Sequence, residues 1–156
     1  MAIIKPNNNT LSSITALPAA ISTGKVLQVL QNTSTSNIST TSSDYQASGV
    51  SVNITPSSTS NKILILIGGG TVDTDGTGRQ IDRALYKNSS ILISIGKHYF
   101  DFAADRFGSA ISYLDSPSTT SQITYSEYFK RSSTSGTVFL NNESSTYHIT
   151  AMEIAG

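Results

Sequence analysis

The sequence predicts an all-β protein, a jelly-roll-like antiparallel β-sandwich preceded by a short N-terminal arm. Composition, alternation and turn spacing carry that prediction. Ser and Thr supply 46 of the 156 residues and Asn and Gly another 21, and this mixture suits strands and turns because Thr favours strands while Ser, Asn and Gly favour turns. Val50, Val52 and Ile54 alternate with Ser51 and Asn53, the period-two pattern of a strand with one face in a core. Turn signals recur every eight to twelve residues or so, the spacing of a sandwich.

The elements follow in order. Residues 1–22 read differently from the rest, with Ile3, Ile4, Leu11, Ile14 and Leu17 set in polar sequence and Pro18 breaking a helix-like spacing. They hold too many apolar side chains for a solvated tail and too few for a core, so the expectation is an arm that docks on another subunit, with a loose or self-packed terminus as the alternative. Residues 23–156 are expected to form the sandwich. Within it, strands are expected over 25–31, 38–46, 50–54, 62–68, 79–87, 90–96, 109–115, 122–131, 137–141 and 146–153. The run Ile63-Leu-Ile-Leu-Ile67 lacks polar alternation, which calls for burial of both strand faces and so for a covering layer or a second subunit. Asn88-Ser89 between two apolar segments reads as a tight hairpin turn.

Composition excludes several classes. Only 13% of residues are charged and the formal net charge is zero, so no clustered basic face is available for nucleic acid. The longest apolar run is far too short to span a membrane, and Lys5 is followed by Pro6 and three Asn where a signal peptide would be apolar. Cysteine is absent, which rules out a disulfide scaffold and suits folding in a reducing cytoplasm.

Candidate chemistry is sparse, and no cofactor, metal or catalytic residue is expected. The segment Gly68-Gly-Gly-Thr-Val-Asp-Thr-Asp-Gly-Thr-Gly78 lacks the Lys-Ser or Lys-Thr of a phosphate loop, and Asp73, Asp75 and Gly76 lack the closing Glu of a calcium loop. It reads as an exposed inter-strand loop. Two unpaired histidines, His98 and His148, do not make a zinc site. The richest cluster is Tyr99, Phe100, Asp101, Phe102, Asp105, Arg106 and Phe107. Aromatic rings beside Asp and Arg are what a glycan-binding surface would use, and Tyr99, Phe100, Asp101, Asp105 and Arg106 are the candidates. The alternative is that Tyr99, Phe100, Phe102 and Phe107 plug one end of the sandwich or face a neighbouring subunit.

The stretch Ser112-Tyr-Leu-Asp-Ser-Pro-Ser-Thr-Thr-Ser-Gln-Ile-Thr-Tyr125, together with Thr137-Val-Phe-Leu-Asn-Asn142 and Ser145-Thr-Tyr-His-Ile-Thr-Ala-Met-Glu-Ile154, resembles the C-terminal strands of small β-sandwich proteins of tailed phages, especially phages of aquatic bacteria, that serve as virion structural or tail-fibre-like proteins. The resemblance implies a homotrimeric virion protein, assembled in the host cytoplasm, with an N-terminal attachment segment and no catalytic residue. The brevity of the segment before the first strand favours a capsid decoration or cement protein that bridges major capsid subunits. A tail-fibre or head-fibre knob that binds a host surface glycan, and a free carbohydrate-binding module, are the alternatives.

Overall fold

A computed structural model describes residues 24–102 and 105–156. The arm residues Ile3, Ile4, Leu11, Ile14 and Leu17 lie outside them. The described chain forms ten strands: β1 (Val26–Ser34), β2 (Ile38–Thr40), β3 (Gln46–Ile54), β4 (Lys62–Thr74), β5 (Arg79–Lys87), β6 (Ser90–Phe100), β7 (Phe107–Asp115), β8 (Ile123–Arg131), β9 (Val138–Leu140) and β10 (Tyr147–Ile154).

Eight long strands build two antiparallel sheets. One runs β1-β10-β4 with β7 on the other side of β4, and the other runs β3-β8-β5-β6. The pairs β1·β10, β3·β8, β4·β7 and β5·β6 nest first with last, second with second-last and so inward. This is the order of one long antiparallel hairpin rolled over itself, a jelly roll. The short strands β2 and β9 extend the first sheet where β4 runs past β10.

Two corrections concern local structure. Residues 38–46 do not form one strand: β2 ends at Thr40 and β3 begins at Gln46, and between them Ser42 and Asp44 make local turn hydrogen bonds. The glycine-rich stretch is not an exposed loop, since β4 continues through it to Thr74. Its glycines serve a bulge, with a register shift between Gly69 and Thr71 on the β7 side. Gly69 and Gly70 have φ of 74° and 66°, and a Cβ on Gly69 would lie 2.1 Å from the Thr146 carbonyl oxygen. Only a residue without a side chain tolerates both demands.

Alternation sets the core. Ile63, Ile65 and Ile67 point inward with Ile149 and Ala151 of β10, facing Val50, Val52, Ile54 and Tyr125 of the opposite sheet. A second apolar cluster, with Val72, Ile81, Phe100, Phe129 and Leu140, fills the far end. At the seam between them lie Arg83 and Glu127. Along β5, Arg83 falls between Ile81 and Leu85; along β8, Glu127 falls between Tyr125 and Phe129. Both side chains are almost fully buried, and Nε and Nη2 of Arg83 each lie 2.5 Å from Oε1 of Glu127. Oε2 of Glu127 has no partner among the described residues.

Candidate functional site

The outer face of the β1-β10-β4-β7 sheet is the most distinctive surface. Cross-strand register places Val29, Met152, Leu64 and Leu114 in one row across four strands. The next row holds Gln31, Thr150, Leu66 and Ser112, and the one after it Thr33, His148, Gly68 and Ala110. At the other end Ile154 pairs with Val26 and with Lys62. These rows contain no carboxylate, and Lys62 is their one full charge. Val29 and Leu114 are 54% and 47% exposed, while Leu64 and Leu66 are half-buried. The apolar run that sequence marked for burial on both faces is thus covered on its inner side and open on its outer one. A charge-depleted surface of this kind desolvates at low cost, the property of the centre of a protein–protein contact.

The polar framework beside this face is fixed. Glu153, inward-facing on β10, accepts hydrogen bonds from Ser57 N, Ser57 Oγ, Asn61 Nδ2 and Gln28 Nε2 at 2.6–2.8 Å. Burial raises its pKa, but those donors hold it at about 2. They pin β1 and the 55–61 turn to the end of β10. The Lys25 carbonyl accepts from Ala155 N at 2.9 Å.

The candidate glycan residues are not brought together. Phe100 is fully buried in the second core cluster, where Phe107 stacks on it with ring centroids 4.8 Å apart; it therefore leaves the expected surface. Tyr99 and Asp101 are exposed at the end of β6. Asp105 accepts a hydrogen bond from Phe102 N. Arg106 bonds Asp73 at 2.9 Å and also pairs with Glu143. Asp73 further accepts from Asn142, and Asp75 pairs with Arg79 and accepts from Thr137 N. The acidic groups that imitate a calcium loop thus serve as struts, and among the described residues no group of three His, Cys, Asp or Glu is placed to hold a metal. His98 lies against Phe107, and burial, with Arg83 nearby, lowers its pKa.

The opposite sheet carries aromatic residues that the sequence did not single out. Tyr86 and Tyr128 stack with centroids 3.9 Å apart, Tyr45 meets Tyr86 edge-on at 6.0 Å, and Lys130 Nζ lies 4.3 Å from the centre of the Tyr45 ring. Burial and Asp82 push the Tyr45 hydroxyl up to about 12. Separated by some 40 residues each, these rings give no linear signal; only their outward parity on β5 and β8 could have revealed them.

No family model matches the chain, and no curated protein matches it in sequence. Among solved structures it is similar to the infectious bursal disease virus Gt strain, with 11% identity and a TM-score of 0.45 over 97% of this chain and 53% of the other. It is also similar to the VP2 subviral particle of that virus, with 13% identity and a TM-score of 0.47 over 90% of this chain and 37% of the other. For T=1 particles derived from the virus the values are 8% and 0.45, over 90% and 40%. The chain spans about half or less of the length of these viral chains.

Proposed function

We propose that the chain is a virion structural protein that works by assembly, specifically a homotrimeric capsid decoration protein that bridges major capsid subunits. The observation that carries this reading is the outer face of the β1-β10-β4-β7 sheet, apolar in its central row and without a carboxylate. Its contact would be among copies of the chain. The arm formed by residues 1–22 would supply the grip on the shell, through Ile3, Ile4, Leu11, Ile14 and Leu17. Three arms on one trimer would engage together and gain affinity by avidity.

Two experiments test the proposal. Immunogold labelling of intact particles should decorate the head shell; label confined to the tail would give the fibre-knob alternative the lead, and none on the particle would end the virion reading. A chain shortened to begin at Ser22 should fold and trimerise but lose capsid binding, whereas undiminished binding would show that the arm is not the anchor.

A further inference from the structure

On the sheet opposite the assembly face, β3 and β8 part company. Ala47 pairs with Tyr128 and Ser51 with Ser126, so four steps along β3 match two along β8. The bulge is built on Gly49, whose φ of 75° and 2.8 Å Cβ approach to Ile38 exclude a side chain. Where the strands separate they leave a recess of about 250 Å³ lined by Ala47, Ser51, Asn88, Thr124, Ser126 and Tyr128 among others. One side is the Tyr128 ring, held in place by its stack on Tyr86. The other is Asn88, at φ 55° in the β5–β6 hairpin turn. Its backbone N–H donates to the Thr124 carbonyl at 2.7 Å and its Oδ1 accepts from Thr124 N at 3.0 Å, which clips the turn to β8.

The chemistry of the lining is selective. The Asn88 amide nitrogen and the hydroxyls of Ser51, Ser126 and Tyr128 have no hydrogen-bond partner among the described residues. No charged residue lines the recess; Lys130 and Asp82 are engaged with Tyr45 and with each other. An ordered ring with one face already stacked, beside unsatisfied hydroxyl and amide groups and no charge, suits a ligand that has an apolar ring face and neutral hydroxyls at its rim. The volume lies below the ~300–1,000 Å³ of drug-sized sites, room for one ring.

We infer that this recess binds a neutral pyranose unit of a saccharide, stacked on Tyr128 and hydrogen-bonded by Asn88, Ser51 and Ser126. The inference is independent of the assembly reading, since the recess lies on the other sheet.

The test is an NMR titration of the isotope-labelled full chain with the methyl glycosides of glucose, galactose and mannose. At least one should shift the Asn88 side-chain NH2 signals, with a dissociation constant on the order of millimolar, as fits a one-ring ligand. Tyr128→Ala and Ser51→Val should each weaken binding at least tenfold; Ser51→Val, a strand-favouring change at a half-buried position, keeps the test valid if Tyr128→Ala unfolds the protein. Dextran, galactan and mannan form a second arm. Tighter binding than to the matching glycoside points to a polymeric surface glycan, and equal binding to a free sugar. No shift at 100 mM of any glycoside, binding unchanged in Ser51→Val, or a preference for the methyl glycoside of N-acetylneuraminic acid would each overturn the inference.

Discussion

Replacing Arg83 with Met would leave Glu127 in the core without its counter-charge. The pair is desolvated, with side-chain exposures of 3% and 0%, and breaking such a pair from one side costs about 3–5 kcal/mol. The carboxyl has an escape, which is to take up a proton. Its ordinary pKa is 4.5 and burial pushes it upward, a push that Arg83 now opposes. Protonation at pH 7 spans 2.5 pH units at about 1.4 kcal/mol each, so the deficit should be about 3–4 kcal/mol. A folded pKa raised above the unfolded one favours the folded state at low pH, so the deficit against wild type should shrink to about 1 kcal/mol at pH 5. For a domain of this size, pH 7 melting should fall by roughly 10–14 °C. Arg83→Met/Glu127→Leu, which removes both charges, should lie within about 1 kcal/mol of wild type at both pH values. Thermal melts by circular dichroism at pH 7 and 5 check this. A single variant that loses less than about 1 kcal/mol at pH 7, or whose deficit grows in acid, would refute the reasoning.

Two further outcomes follow from other sites. Glu153, held at about 2 against an ordinary 4.5, contributes stability that is fully present above about pH 4.5 and lost as the pH falls toward 2; Glu153→Gln should cost about 3 kcal/mol at pH 7 and converge with wild type near pH 2, read from melting temperature against pH. Gly69→Ala must place a methyl 2.1 Å from the Thr146 carbonyl oxygen at φ 74°, and should lose more than about 2 kcal/mol in urea denaturation; a loss below 0.5 kcal/mol would show that the β4 bulge relaxes freely.

The sandwich was legible because alternation and turn chemistry are local. Val50, Val52 and Ile54 announce their face, Asn88-Ser89 its hairpin, and each of the ten expected strands overlaps an observed one. Strand ends were less legible. Gly68-Gly-Gly reads as a loop because glycine is a poor strand former, yet tertiary context uses it for a bulge against Thr146 and Tyr147. The buried ion pair did have a signal: Ile81, Arg83 and Leu85 share one parity, as do Tyr125, Glu127 and Phe129, which puts both charges on core faces. The rows that join Val29, Met152, Leu64 and Leu114, and the rings of Tyr45, Tyr86 and Tyr128, depend on pairings between distant segments. The recess depends on a two-residue mismatch of β3 against β8 that no single segment encodes. Phe100 was misplaced because the strand was expected to end at residue 96, whereas β6 runs on to Phe100 and its alternation buries that ring beside the exposed Tyr99.

Sedimentation velocity on the full chain and on Leu64→Glu/Leu114→Glu tests the assembly face most directly. Wild type should sediment as one species of three chains, while the variant, whose two carboxylates fall in the central row beside Met152 and Val29, should sediment as a monomer with an unchanged β-sheet circular dichroism spectrum. A folded wild-type monomer at micromolar concentration, or a variant that remains trimeric, would contradict the account.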